Sequence, residues 1–535
     1  MSLQMNWNTE IPADTARVGR EILAADDPYR LIGDGVNDFL SLKDFTGMYS
    51  ELGRGGICPI ILSLITVFQF LENIPDRVAA RRAVTCIDWK YALHLPLTWI
   101  GFNFSDLSNF RRRLLEHSAE RLIFEKVLDW VRSMGFLNKH GKQRSDSTHL
   151  LGCVERLSRL ELVWETLRVT LRAIEATEPE WYAEVIPAAF HEAYVKRHSD
   201  WRLSKKEVKV EMQKTGRDGF WLLDHLNDST PQSILGLAEV ETWRTVWSQQ
   251  FERQADSQKV QVRPPSGRGK GKDLIVTPHD SDARYSEKRG KDWVGYKLQL
   301  TETAEDDVTC QFITDIDAVA ATTHDSEVVE DIHERLTARH LKPNEHYVDQ
   351  AYTSGPNLAG SDGCGIALLG PVASDTAGKP EGYRQSDFEL DFAAQQATCP
   401  QGKVSAVWYE RPQPDGFVGA EIQFKTQCEG CPVRAQCAPG KRGRTLKVSP
   451  YHEILNQRRA EQKTQDFKER MKRRPAVEGT ISELTRVHGA RRARYRGLKK
   501  GRLQALFTGA AANLKRLAYA LAAQERPAAK EMAAC

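Results

Sequence analysis

Three acidic residues constrain the fold of this chain more than anything else in it. They are Asp146 in Ser145-Asp146-Ser147-Thr148-His149, Asp349 in Tyr347-Val348-Asp349-Gln350-Ala351-Tyr352, and Glu478 in Arg474-Pro475-Ala476-Val477-Glu478-Gly479-Thr480-Ile481. Each sits where a strand end or a helix face presents a carboxylate. A fold that uses all three must bring together segments far apart in the chain. Three hard oxygen ligands at one point suit a pair of Mg²⁺ ions, and such a pair suits phosphodiester chemistry. With 72 acidic residues present, any one of them alone reads more simply as a local cap or a solvated charge.

A chain of 535 residues is too long for one core, so two to four domains are expected. Hydrophobic content of 41% and charged content of 27% fit a soluble globular protein. Residues 451–516 hold 18 Lys and Arg against 6 Asp and Glu, a balance of +12. The whole chain carries only +3, so the remainder is about −9. So dense a basic block suits a polyanion, and nucleic acid is the commonest one. A solvated charged helix is the alternative, but the acids that would neutralise one are scarce there. The segment from Met1 to Arg20 lacks an apolar run after a basic start, so no signal peptide is expected. The most apolar stretch, Cys58 to Leu71, is too short to span a bilayer and reads as a buried helix. A cytoplasmic, nucleoid-associated protein is expected, with its ten cysteines as reduced thiols or metal ligands.

Residues 1–140 read as an all-helical domain for DNA binding or dimerisation. Ile61, Leu64, Ile65, Phe68 and Leu71 recur at helical spacing, and Ser105 stands as an N-cap before Phe110, Leu114 and Leu115. Arg111, Arg112 and Arg113 form a basic edge there; ordinary packing with exposed arginines fits equally well. Residues 143–151 are extended. A helical insertion over 154–272 follows, with Leu157, Leu160, Trp164, Leu167, Leu171 and Ile174 in one stripe and a basic Gly/Pro loop at its end. Strands are expected at Tyr296, Leu298 and Leu300, at 309–314, at Tyr347-Val348 and at 366–369, with a helix over 325–336. Leu503, Leu506, Phe507, Ala510, Leu514, Leu517 and Leu521 mark a last helix docked beside the sheet. The tail over 526–535 should be disordered.

Opening or joining a phosphodiester needs an in-line nucleophile and a stabilised leaving oxygen, and carboxylates on rigid elements at one sheet edge supply the scaffold. Arg474 lies four residues before Glu478, so the two share a helical face. The arginine can orient the carboxylate, grip a phosphate, or make a plain surface ion pair. The run Arg491, Arg492, Arg494, Tyr495, Arg496, Lys499 and Lys500 suits tracking a DNA backbone and stacking a base. Arg486 is a further basic candidate. The rival acid pairs are Asp280 with Asp282 and Asp315 with Asp317.

Cys399, Cys428, Cys431 and Cys437 form a second constellation within a small Cys-rich β insertion over 385–445. Four thiolates with a Cys-x-x-Cys core can complete a zinc tetrahedron; four free thiols are the alternative. His149 reads as a packed strand residue or a group near the metals, His488 as a DNA or structural contact, and Trp408 as a core aromatic or a base-stacking ring.

Several stretches together resemble the DDE transposases of bacterial insertion sequences. They are Asp146-Ser147-Thr148-His149, Trp293-Val294-Gly295-Tyr296-Lys297, Asp349-Gln350-Ala351-Tyr352-Thr353-Ser354, Glu478 through Glu483, and Ala493-Arg494-Tyr495-Arg496-Gly497-Leu498. Phe110-Arg111-Arg112-Arg113-Leu114 adds to them, and the likeness covers most of residues 40–520. It is nearest to the branch numbered eleven eighty-two, in the group sharing an Arg-x-x-x-Glu signature. That group places a Tyr where this chain has Met471 and a Lys where it has Thr485. The resemblance implies an α/β fold with a ribonuclease H-like mixed sheet, in a catalytic domain over 141–525. It implies Asp146, Asp349 and Glu478 as the catalytic, magnesium-binding triad, with Mn²⁺ able to substitute. It further implies cleavage at terminal inverted repeats in double-stranded DNA, transfer of the freed 3′-OH to target DNA, and a homodimer holding both ends. Two alternatives remain: a catalytically inactive DNA-binding derivative, and a metal-dependent nuclease without strand transfer.

Overall fold

The structure is a computed structural model that describes residues 7–50, 55–194, 203–254, 259–288, 290–375, 382–413, 416–438, 440 and 442–532, without the side chains beyond 524. Its central sheet has six strands: β1 (Lys142–Leu151), β2 (Arg284–Lys288), β3 (Lys291–Thr303), β4 (Ile313–Ala320), β5 (Glu345–Tyr347) and β6 (Ala367–Leu369). β3 is the hub. One edge pairs antiparallel with β1; the other pairs antiparallel with β2 along its first part and with β4 along the rest. β1 pairs parallel with β5, and β5 parallel with β6. The order across the sheet is therefore β4-β3-β1-β5-β6, with β2 beside β4 on the same edge of β3.

The hub position of β3 explains a glycine in its sequence. Gly295 has φ of +147°, and a Cβ there would stand 2.3 Å from the Gly152 nitrogen and 2.4 Å from the Leu150 oxygen. Only a residue without a side chain lets β1 pass so close. At the other end a bulge between Thr301 and Glu302 shifts the β3–β4 register. Asn513 supports the strand there: its Oδ1 accepts the Ile313 N–H at 2.8 Å and its Nδ2 donates to the Ile313 oxygen at 2.8 Å.

Two expectations are corrected here. The strand expected at 309–314 begins only at Ile313. Gln311 folds back on Glu305, taking its N–H and donating to its oxygen, and so closes the preceding acidic loop. β2 was not expected at all: its only apolar residue is Tyr285, so it shows no alternation.

Four helices position the site: α1 (Pro59–Leu71), α2 (Leu122–Ser133), α3 (Val477–Arg486) and α4 (Leu498–Met532). α1 begins on a proline, where no N–H is needed, and is buried from Pro59 to Phe70. A helix apolar all round has to be enclosed. α4 encloses it together with the helices over Asp76–Thr85 and Ser105–Glu116, and the Phe70 and Phe507 rings stack at 6.1 Å. The expected stripe from Leu503 to Leu517 is buried, and so are Gln504, Thr508 and Asn513 on its other faces. One hydrophobic core consequently runs from Ile32 to Ala520, so no gap in packing separates 1–140 from the sheet. Ser105 is the first residue of its helix; Asn103 Oδ1, rather than the serine, takes the exposed Ser105 N–H.

The insertion has a core of its own, in which Leu160, Leu167 and Ile174 pack with Trp243 and Trp247. The Cys-rich unit has a third, much smaller core around Phe388, Ile422 and Phe424, built on strands Val407–Pro412, Val418–Gln423 and Thr445–Val448. In the expected tail α4 continues to Met532, and residues 533–535 lie outside the described residues. Among the described residues no helix is long and apolar enough to cross a membrane.

Candidate active site

Strand register brings the first two acids together. β1 and β5 are parallel, with Arg144 opposite Tyr347. Two residues further along each segment come Asp146, mid-way along β1 rather than at the strand end expected for it, and Asp349, just past the carboxyl end of β5, where open α/β sheets place their ligands. The pairing is pinned from behind by a buried chain of hydrogen bonds. His333 Nε2 meets His346 Nδ1 at 2.8 Å, and His346 Nε2 meets Ser145 Oγ at 2.7 Å. Burial depresses the pKa of both imidazoles, His333 to about 4 and His346 well below its ordinary range.

α3 brings the third acid. Glu478 is its second residue, and a short 3₁₀ turn (Arg474–Ala476) immediately precedes it. The Arg474 guanidinium touches all three carboxylates. Its Nη2 lies 2.7 Å from Asp146 Oδ2 and 3.7 Å from Asp349 Oδ2, and its Nη1 lies 3.3 Å from Glu478 Oε1. The Asp146, Asp349 and Glu478 side chains are 12%, 34% and 67% exposed, so the site opens from its floor at β1 toward solvent at α3. The Ser147 N–H donates to Asp146 Oδ1 at 2.7 Å, and the Ala351 N–H to Asp349 Oδ1 at 2.8 Å. Burial raises the pKa of the Asp146 carboxyl; Arg474, the Ser147 N–H and Lys288 oppose the rise.

The geometry suits a divalent cation by its donor set, three carboxylates gathered round one positive group. Among the described residues, however, no three His, Cys, Asp or Glu side chains already stand as a ligand cluster. In the triad the guanidinium lies between the acids.

α3 is held on the sheet by a network that sequence reasoning missed. Glu302, fully buried on β3, accepts from Arg144 Nε at 2.8 Å, from Arg516 Nη1 at 3.1 Å and from Thr480 Oγ1 at 2.6 Å. Arg516 also reaches Glu483 at 2.8 Å. Thr480 lies two residues past Glu478. The period of two that turns Tyr296, Leu298 and Leu300 inward also turns Glu302 inward, but nothing near it in sequence reveals the arginines, from β1 and α4, that pair with it there.

The basic candidates divide into two groups. Arg494 donates to the Ile74 oxygen and to Asn73 Oδ1, both at 2.7 Å, and lies over the Phe70 ring. Tyr495 is packed on the core beneath Arg111. Both face the N-terminal helices, so neither is free for a phosphate or a base. Arg491 is also engaged, donating to Thr148 Oγ1 and the His149 oxygen. Arg486, Arg492, Arg496, Lys499 and Lys500 are exposed.

The remaining candidates have structural partners. Asp315 is buried among Arg121, Arg335 and Arg339, and Asp317 lies 3.2 Å from Arg502. Asp280 accepts from the Tyr296 hydroxyl, and Asp282 takes the Leu498 N–H that opens α4. His488 is buried, with Nδ1 donating to the Leu71 oxygen at 3.1 Å. His149 packs against Trp293, and Trp408 edge-on against Phe392. Arg111 is buried in an ion pair with Asp76, and Arg113 lies over Tyr49.

Cys399, Cys428, Cys431 and Cys437 line one small cavity of about 20 Å³. The Lys403 and Arg444 backbone N–H groups approach Cys399 Sγ and Cys428 Sγ, each at 3.4 Å. Burial pushes the Cys437 thiol up; Arg444 opposes the rise and the other three cysteines add to it.

Two family comparisons match the chain. Residues 398–518, which contain Glu478 and the four cysteines, match a transposase DDE domain. Residues 17–113, within the N-terminal helices, match a transposase domain (DUF772). No curated protein and no solved structure matches. Together the two family matches indicate a transposase of the DDE family.

Proposed function

We propose that the chain is the DNA transposase of an insertion sequence, of the branch numbered eleven eighty-two, with Asp146, Asp349 and Glu478 as its catalytic carboxylates. The convergence of all three on Arg474 carries this reading. The strand order β4-β3-β1-β5-β6, antiparallel on one side of β1 and parallel on the other, supports a ribonuclease H-like domain. The three acids would hold two Mg²⁺ ions, or Mn²⁺ in their place, and such ions supply Lewis-acid activation of the phosphodiester and of the attacking oxygen. Asp146, clamped by the Ser147 N–H, is the fixed floor of the site. Glu478, the most exposed, completes it from α3. Arg474 offsets repulsion among the acids in the free protein, and its planar fork turns to a DNA phosphate once they are otherwise neutralised.

Hydrolysis at a terminal inverted repeat breaks a P–O3′ bond, leaves the phosphate on the flanking strand and frees the element's 3′-OH. That hydroxyl then attacks a target phosphodiester, forming a new P–O bond and releasing a target 3′-OH. Both ends must be held together, so the working form is a homodimer on DNA in the cytoplasm. Exposed Arg486, Arg492, Arg496, Lys499 and Lys500 hold the backbone. The test replaces each acid with Ala. Metal-dependent end cleavage is lost while DNA binding remains, and normal cleavage by any of the three variants defeats the assignment. Binding without nicking in Mg²⁺ or Mn²⁺ would favour an inactive derivative; nicking without joined product would favour a simple nuclease.

We also propose a structural Zn²⁺ held by Cys399, Cys428, Cys431 and Cys437. A common cavity and two backbone N–H groups aimed at sulfur support it. So does the small core of this unit, since units with so little apolar interior commonly depend on a metal.

A further inference from the structure

The β2–β3 ribbon pairs like charges with like. Lys288 stands directly opposite Lys291, and Glu287 directly opposite Asp292. Opposed like charges destabilise a strand pair, and shifting one charge on either strand would have made cross-strand ion pairs instead. All four side chains are exposed, and no ion pair is made by any of them among the described residues. Side chains alternate along a strand, so the lysines share one face of the ribbon and the acids occupy the other. The lysine face is also that of Trp293, whose ring packs on His149 at 5.3 Å.

Lys288, on this face, is among the positive groups that act on Asp146. β1 ends between two basic elements. On one side Leu151 pairs with Gly295, at the base of the ribbon. On the other, the Leu151 N–H donates to the Arg491 oxygen at 2.9 Å, and the Ala493 N–H donates to the Leu151 oxygen at 2.7 Å. His149, three residues past Asp146, sits where the two meet. Burial lowers its pKa, and Arg491, Lys288 and Lys291 lower it further, so positive groups from both sides crowd this imidazole.

We propose that the lysine face of the ribbon is a clamp for the sugar-phosphate backbone of DNA as it enters the triad. A phosphate between Lys288 and Lys291 turns their mutual repulsion into two attractions, and this is what the charge segregation is for. The acid face keeps the same ribbon from lying the other way round on the polyanion. The inference rests on the DNA-transposase reading and extends it to residues outside the basic C-terminal block.

The experiment measures binding of the full-length protein to a labelled DNA duplex of fixed arbitrary sequence across a KCl series. Each phosphate contact contributes about 0.9 to the slope of log K against log salt. The Lys288→Ala/Lys291→Ala variant, which gives up the one phosphate held between the lysines, should therefore lose about 0.9 of slope. Glu287→Gln/Asp292→Asn on the opposite face should leave the slope as it is. Removing a repulsive pair does not lower the melting temperature, so lost binding in the lysine variant is not unfolding; a marked fall would make the pair structural and overturn the clamp. An unchanged slope in the lysine variant, with wild-type binding intact, overturns the clamp alone. No binding by the wild type overturns both the clamp and the transposase reading.

Discussion

Replacing Glu302 with Gln should loosen α3 from the sheet more than any surface change in the chain. Glu302 is fully buried, and its carboxylate is the shared partner of Arg144, Arg516 and Thr480. The amide keeps the shape but loses the charge. Arg144 then has no other carboxylate among its described contacts, and Arg516 keeps only Glu483. Leaving one side of a buried ion pair uncompensated costs about 3–5 kcal/mol. That is a large part of the roughly 5–15 kcal/mol that holds a domain folded. The loss should concentrate where the network acts, so the assay is amide hydrogen exchange over 477–486 and over β1. The opening free energy there should fall by about 3–5 kcal/mol, while the separate core of the insertion is untouched. Because α3 carries Glu478, end cleavage should fall with DNA binding retained. A change in α3 below about 1 kcal/mol would refute the reasoning, since a surface ion pair costs no more than that.

Further outcomes follow from other parts of the structure. His333, depressed by burial from 6.5 to about 4, is neutral in the fold; its contribution is full above pH 6.5 and is lost as pH falls toward 4, by about 3 kcal/mol. Melting curves across that window should show this loss, and His333→Gln should reduce it, leaving the part that buried His346 contributes. Purified protein should carry about one equivalent of zinc by elemental analysis, absent in Cys437→Ser; four freely titrating thiols in the native protein would rule the site out. Gly295→Ala should cost about 2 kcal/mol or more, because its Cβ would meet the Gly152 nitrogen and the Leu150 oxygen; wild-type stability in urea would contradict the close approach.

What the sequence disclosed depended on how local each signal was. The Leu503–Leu517 stripe was legible because a helix repeats its face every few residues, and the i, i+4 spacing put Arg474 and Glu478 on one face, where they meet at 3.3 Å. The two-residue alternation at Tyr296, Leu298 and Leu300 found β3, but it also made Gln299 and Thr301 look solvent-facing. They are buried because elements cover both faces of the strand. The ribbon strand β2 escaped notice because it is polar on both sides. Arg494 and Tyr495 read as free DNA contacts because nothing near them in sequence reveals that α1 and the Asn73 turn dock there. That docking is a property of the shared core, which joins residues more than four hundred positions apart.

The most direct test loads the protein with Fe²⁺ and starts hydroxyl-radical chemistry, which cuts a polypeptide next to the bound ion. If Asp146, Asp349 and Glu478 hold divalent cations in one place, the chain should break near all three positions, and excess Mg²⁺ should suppress every cut together. Breaks near only one of them, or at sites that Mg²⁺ does not protect, would contradict a shared metal site.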